Sequence, residues 1–437
     1  MKIVQRFAVF VWLTSFAVSA FAQALEPKPA DAFFEKFKPR QAPAPAALLL
    51  KPGDRLAICG DSITEQKMYS RIMETYLTVC APELGVTVRQ YGWSGEVAPG
   101  FLARMTNDCL RFQPTIATTC YGMNDHGYRP YEATIGERYR TASTAIIRAF
   151  KGAGARVVHG SPGCVGKKPN WVKSNNDWTT EDLNLNLCEL RNLGIEIAQA
   201  EQTAFADVFW PMFTAGFAAQ TKYGTNYAIA GKDGVHPDWA GQTVMAYAFL
   251  RSLGLKGDIG TFTVDLRLKA ANISPGHELI GYENGELRLL SRRYPFCAPA
   301  GDVTKDNTIR SALMLVPFNQ ELNRFMLVIK NTKAARYKIT WGTEAHSYSA
   351  EQLGKGVNLA ADFAATPFSE VFNQVDAAVA TKQAYETTQI KKLFHGEEGK
   401  HDMEATIASS EKTRAPLAEA IKTAFVPVRH TIMIEAE

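Results

Sequence analysis

Arg55-Leu56-Ala57-Ile58-Cys59-Gly60-Asp61-Ser62-Ile63-Thr64-Glu65 is an apolar run that stops at a glycine and restarts with a different period. Arg55 to Cys59 reads as a short buried strand. Past it, Met68, Ile72, Met73, Tyr76 and Leu77 recur at the three- and four-residue spacing of a helix over 65–79. A strand that feeds directly into a helix is the start of a βαβ unit. Working outward, the rhythm repeats. Strands are expected at 86–91, 115–120, 156–160 and 204–208, and helices at 101–112, 139–150, 182–200 and 240–253. This alternation predicts an α/β fold with a parallel sheet covered by helices on both faces. Ligands of such sheets bind beyond the carboxyl ends of the strands. Gly60 to Glu65 is such an end.

The rest of the chain frames this unit. At 437 residues it is long enough for two or three domains. With 46% hydrophobic and 21% charged residues it is globular in composition, and a core of this size needs neither metal nor disulfides. Residues 1–22 carry Lys2 and Arg6, an apolar run from Phe7 to Val18, and Ala20-Phe21-Ala22. They read as a signal peptide cleaved after Ala22, which makes the protein secreted or periplasmic. The alternative is an uncleaved anchor, for which the apolar run is short. No later stretch is apolar and long enough for membrane insertion. Without Lys2 and Arg6 the net charge falls from +4 to +2, which argues against a nucleic-acid or anionic-membrane partner held by bulk charge.

Residues 23–48 hold Pro27, Pro29, Pro39, Pro43 and Pro45 and read as a Pro/Ala-rich tether or lead-in to a domain at 49–258. After 258 the rhythm changes. Short strands at 261–266, 278–282, 286–290, 325–330 and 337–341, with Asn284-Gly285 as a hairpin turn, predict a small antiparallel β module over 259–366. Residues 367–437 read as helical over 369–394 and 401–425, with a break at Pro416 and a closing strand at 429–435.

Seven cysteines are no disulfide scaffold. Cys59 and Cys120 read as buried small apolar residues. Pairing of Cys80 with Cys109, or of Cys164 with Cys188, stays open. No cluster has metal-ligand spacing, so no metal is expected.

Four short blocks at expected strand ends carry the chemistry. Ser62 follows the first strand and opens a helix. It is either a nucleophile with its N–H at the positive helix end or part of an N-cap. Asp233-Gly234-Val235-His236 precedes a helix that Asp238 would cap. There the imidazole can take a proton from a serine while the carboxylate fixes its tautomer, or the block is a solvent loop. Tyr91-Gly92-Trp93-Ser94-Gly95-Glu96 and Tyr121-Gly122-Met123-Asn124-Asp125 are either ordinary turns or donors. Together the Ser62 N–H, the Gly95 N–H and the Asn124 side chain would form an oxyanion hole.

Ser62, Gly95, Asn124 and His236, in this order and on these elements, resemble the four signature blocks of the SGNH (GDSL-like) hydrolase family. The resemblance covers residues 54 to about 255. It implies a three-layer α/β/α fold and ester hydrolysis without a cofactor. It also implies Ser62 as nucleophile, Asp233 and His236 as its partners, and the oxyanion hole above. Ile63 stands where the family name has leucine, a conservative change.

Other residues are read more plainly. His126 is expected to pack a turn, Asp61 to hydrogen-bond locally, Glu65 to cap a helix, and His395 and His401 to lie in a solvated turn. His159 has no assigned role. The loop 167–180 carries Trp171 and Trp178 among Asn170, Asn175, Asn176 and Asp177, a mix that suits sugar rings or, alternatively, a polar lid. Three functions compete. They are an esterase that O-deacetylates an extracellular carbohydrate, a lipase, thioesterase or lysophospholipase, and an inactive binding module.

Overall fold

Strand β1 (Arg55–Gly60) turns Leu56 and Ile58 to one side and Ala57 and Cys59 to the other, and each side meets its own apolar cluster. Both faces of the sheet are therefore covered, which is why the strand is apolar at nearly every position. The computed structural model describes residues 24–45, 47–172 and 177–437. The signal peptide expected at 1–22 lies outside them, as do Asn175 and Asn176.

Strands β1, β2 (Thr87–Gln90), β3 (Ile116–Cys120), β4 (Arg156–Gly160) and β5 (Ala204–Ala206) form a parallel sheet in the order β2-β1-β3-β4-β5. Among helices of ten residues or more, α1 (Tyr69–Cys80), α2 (Ala98–Asp108), α3 (Ala133–Gly152), α4 (Thr180–Ala200), α5 (Phe209–Tyr223) and α6 (Trp239–Ser252) accompany it. One face packs on α1, α5 and α6 through Ile72, Met73, Phe209, Val244 and Phe249. The other packs on α2 and α3 through Phe101, Met105, Ile146 and Phe150. The result is three layers, as expected. Strand order reverses at β1, so the loops after β1, β2 and β3 meet at a topological switch point.

Helix α5 was not expected; its segment lacks a clear apolar stripe, since the helix packs against the lead-in as well as the sheet. Residues 24–45 are no free tether. Phe34 and Phe37 are buried against Trp210 and Phe213, and the fully buried Arg191 donates to Arg40 O at 2.7 Å and to Asp207.

Beyond 258, β6 (Asp258–Asp265), β7 (Ala270–Ile273), β8 (His277–Glu283), β9 (Glu286–Ser291), β10 (Arg324–Lys330), β11 (Arg336–Trp341), β12 (Glu344–Ser349), β13 (Val357–Asn358) and β14 (Val428–Ala436) form two more sheets. One runs β13-β10-β6-β7, with β10 parallel to β6 rather than antiparallel. The other runs β12-β11-β14-β9-β8, antiparallel throughout. Asn284 and Gly285 both adopt positive φ in the β8–β9 turn, as their dipeptide predicts. The closing strand β14 lies in the middle of its sheet, between β11 and β9.

Between these sheets and the end of the chain run α7 (Ser369–Thr388), a π-helical turn (Gln389–Phe394) and α8 (Met403–Ala424). Pro416 lies inside α8 without ending it. The helix is held at both ends, by the Asp402 cap on Ala405 N–H and by the buried Ile421.

Helices α7 and α8 cover the edge of β2. Lys382 and Arg414 donate to Val88 O, and Gln90 N–H donates to Glu386 at 3.1 Å. Side chains thus take the place of a missing strand, since unpaired backbone groups at a covered edge are costly. Lys382 is 1% exposed and lies between Glu74 at 2.9 Å and Glu386 at 3.0 Å. All seven cysteines are free and buried, so neither of the pairings that the sequence leaves open is formed.

Candidate active site

Ser62 is the first residue of a short helix, Ser62–Glu65, directly after β1. Asp61 accepts the Ile63 N–H at 3.0 Å and so sets the serine's turn. Burial pushes the Asp61 carboxyl up to about 7, helped by the charges of Asp125 and Glu96 and opposed by the Ile63 N–H. Asp61 is thus a local hydrogen-bonding residue, as expected.

The partner loop closes on Ser62 from 174 residues away. His236 Nε2 lies 2.8 Å from Ser62 Oγ, and His236 Nδ1 lies 2.6 Å from Asp233 Oδ2. Asp233 Oδ1 accepts the N–H groups of Val235 and His236, each at 2.9 Å. Partial burial raises the Asp233 carboxyl. The two backbone donors and the His236 side chain outweigh it and hold the group below the ordinary range. Gly231, at φ +87°, is needed because a Cβ there would fall 1.7 Å from His236 O. Asp238 caps α6 through the Trp239 N–H at 2.8 Å, as expected.

Two further donors face the same end of the sheet. Glu96 N–H donates to Trp93 O at 3.1 Å, closing a turn with Ser94 and Gly95 in the middle. Gly95 has φ +74°, a positive value like that of the third residue of a type II turn, where glycine is favoured. Asn124 donates to Glu96 O at 3.0 Å and accepts the Tyr128 hydroxyl at 3.1 Å, which fixes its amide and leaves one N–H over. Among the described residues, no protein acceptor takes the N–H of Ser62 or of Gly95. Asp125 accepts from Ala98 and Gly122 N–H, each at 2.9 Å, and burial lifts it to about 6.

Trp171 is 47% exposed, with its ring centroid 6.0 Å from that of His236 and 5.8 Å from that of Tyr128. Trp178 is half-buried and makes no ring contact with the site. His126 is fully buried and pushed down to about 4 by burial. His159 is a core residue between Thr119 and Tyr139, likewise near 4. No group of His, Cys, Asp and Glu among the described residues is placed to hold a metal. A cavity of about 460 Å³ lies away from the serine, between β2 and α8.

Sequence reasoning missed the support of the Gly95 turn. Glu65 caps no helix. It accepts the Ser94 N–H at 2.5 Å and the Ser94 hydroxyl at 2.6 Å, and it pairs with Lys391 at 2.8 Å. His395, expected in solvent, meets Asp108 at 2.8 Å and packs edge-on against Trp93. Glu65 carried a signal, three residues past the serine on the same turn. Lys391 carried none.

The GDSL-like lipase/acylhydrolase family model matches residues 58–244. The chain carries a GDSL-like acylhydrolase domain. It is accordingly a carboxylic ester hydrolase, and its parallel sheet with the strand-end loops is that family's scaffold. Among solved structures, a gut microbial diltiazem-metabolizing enzyme is similar at 20% identity and a TM-score of 0.72, covering 91% of this chain and 100% of that one. This likeness shows a shared fold that runs into the C-terminal sheets. An acetylxylan esterase from Geobacillus stearothermophilus has 21% identity and a TM-score of 0.38, covering 47% of this chain and 96% of its own. An alpha/beta hydrolase from the metagenome of Lake Arreo, Spain, has 20% identity and a TM-score of 0.36, covering 48% and 98%. No curated protein matches. No helix among the described residues is long and apolar enough to cross a membrane.

Proposed function

We propose that this protein is an exported serine esterase that removes acetyl groups from a carbohydrate, with Ser62 as nucleophile, His236 as base and Asp233 as the residue that orients it. The observation that carries the reading is the unbroken chain Ser62 Oγ, His236 Nε2, His236 Nδ1, Asp233 Oδ2, at 2.8 and 2.6 Å. His236 Nε2 takes the Ser62 proton as Oγ bonds to the ester carbonyl carbon. The negative oxygen is received by the N–H groups of Ser62 and Gly95 and the spare N–H of Asn124. The carbon–oxygen bond to the alcohol then breaks, and His236 returns the proton to the leaving oxygen. Water repeats the sequence on the acyl-serine, releasing the acid and restoring Ser62.

The carbohydrate assignment rests on the exposed face of Trp171 beside His236 and on the polar loop that bears it. An aromatic face with amide neighbours suits a ring that is apolar on its faces and hydroxylated at its rim. Export rests on the signal peptide read at 1–22.

The test is acid release from acetylated polysaccharides and from short- and long-chain model esters by the wild type and Ser62→Ala. The reading expects acetate release by the wild type alone, with short chains preferred. Preference for long acyl chains would move the substrate to lipids. Equal activity of the two proteins would remove Ser62 from the mechanism.

A further inference from the structure

The Gly95 N–H is carried by the peptide that joins Ser94 to Gly95, the middle peptide of the Trp93–Glu96 turn. In turns of this size the middle peptide is the part that flips, because types I and II differ mainly in its orientation. A flip would point the Gly95 N–H away from the serine. Something must therefore hold this peptide from both sides.

After it, Glu96 is held by a buried two-point ion pair with Arg104, at 2.6 and 2.7 Å, and by the Tyr121 hydroxyl at 3.0 Å. Before it, Ser94 is exposed and, among the described residues, its side chain and N–H are held by Glu65, which takes both on Oε2. Glu65 in turn is gripped by one ammonium group: Lys391 Nζ lies 2.8 Å from Oε1 and 3.0 Å from Oε2. Lys67, the other cation nearby, donates to the Glu65 backbone carbonyl. Lys391 comes from the π-helical turn after α7, 326 residues away and far outside the span 58–244. Its ammonium also lies 5.2 Å from the centroid of the Trp93 ring, which also meets the Arg104 guanidinium at 5.0 Å and the His395 edge. The C-terminal turn thus grips the oxyanion turn twice, through Glu65 and through Trp93.

We infer that Lys391 is a positioning residue for the ester hydrolysis proposed above, on which this inference rests: through Glu65 it fixes the Ser94–Gly95 peptide whose N–H receives the oxyanion. Burial alone would raise the Glu65 carboxyl, yet Lys391 and Ser94 hold it below the ordinary range, so it stays an acceptor. Loss of Lys391 leaves a partly buried carboxylate with no cation on its oxygens. Glu65 then turns to water or takes a proton, and Ser94 is released. The effect falls on the transition state, because the ground-state carbonyl needs the Gly95 N–H far less than the oxyanion does.

The experiment measures kcat and KM of wild type, Ser62→Ala, Lys391→Met, Lys391→Arg, Glu65→Gln and the Lys391→Met/Glu65→Gln double variant on one short-chain ester, with a melting temperature for each. Expected is a fall in kcat of roughly 10-fold or more for Lys391→Met, bounded by the ~10²–10³ of a lost oxyanion donor. KM should stay within about twofold. Lys391→Arg should recover most of the loss, and the double variant should fall no further than Glu65→Gln alone. Wild-type kcat in Lys391→Met, with Ser62→Ala inactive, overturns the inference and leaves the esterase reading intact. If Lys391→Met does not fold, Glu65→Gln decides, and wild-type kcat there overturns the inference equally. Full activity in Ser62→Ala removes Ser62 from the proposed mechanism first and takes this inference with it.

Discussion

The two sides of the candidate site are built in opposite ways. On the side of the proposed base, the His236 loop is self-contained: Asp233 meets His236 twice and Val235 once within one turn, and Gly231 lets the loop fold onto the His236 carbonyl. On the side of the proposed oxyanion hole, the Gly95 turn has almost no grip of its own. It is held by Arg104 from α2, by Glu65 from the serine's helix and, behind Glu65, by Lys391 from the far end of the chain. In the proposed mechanism the proton-transfer half of the site is thus local, and the charge-stabilising half depends on how α7 and α8 dock. That docking surface is ionic and buried, with Lys382, Glu74, Glu386 and Arg414 at its centre. A buried ionic contact is weak as glue but strict in geometry, because a shift leaves a charge unpaired.

This contrast can be broken at several points. The largest effect is expected at Asp233→Asn. The amide cannot hold the required tautomer, and kcat should fall on the order of 10⁴-fold with the melting temperature nearly unchanged. A large loss of stability there would mean the base loop is not self-contained.

Lys382→Met should act the other way round. It strands Glu74 and Glu386 against each other and should cost roughly 3–5 kcal/mol in a denaturant titration. A variant as stable as wild type would show that the ionic surface does not govern docking. Asn124→Ala removes one of the proposed oxyanion donors and should lower kcat by roughly 10²-fold, with KM little changed. An effect confined to KM would place Asn124 on the substrate instead.

A smaller and pH-dependent effect is expected at Asp61→Asn. The Asp61 carboxyl is raised from 3.8 to about 7 in the folded chain. Its proton is held more tightly when folded, so it stabilises the fold at low pH, and that contribution disappears as the pH rises through about 7. The asparagine variant should therefore gain stability relative to wild type between about pH 4 and 7. Melting temperatures across that range would decide it, and a constant difference would sink the idea. The smallest effect is at Trp171→Ala, for which KM on acetylated oligosaccharides should rise several-fold while kcat on a small model ester holds. A kcat loss on the model ester would instead assign Trp171 to His236 itself.

Much of the fold and of the geometry of the candidate site was legible from the sequence. The parallel sheet was readable because its strands are buried on both faces and its helices carry one apolar stripe. Asp233 and His236 lie on one short loop, and Ser62, Gly95 and Asn124 each follow a strand at the same sheet edge, so βα alternation was enough to gather them. Other features were not legible. Pro416 looked like a helix stop, but packing at both ends of α8 carries the helix past it. The lead-in looked like a tether, although Phe34 and Phe37 anchor it. Strand β14 looked like an appendage, yet it pairs on both sides in the middle of a sheet.

By itself the sequence determined which residues could do chemistry and at which edge of which sheet they gather, since period and turn chemistry act over a few neighbouring residues. Only the tertiary structure decided what holds the Gly95 turn and what covers β2. Lys391 reaches Glu65, and Lys382 reaches Val88, across some three hundred residues of chain. No local pattern records such a meeting, because an ion pair depends on where two backbones have been carried, and that is fixed by the packing of the whole fold.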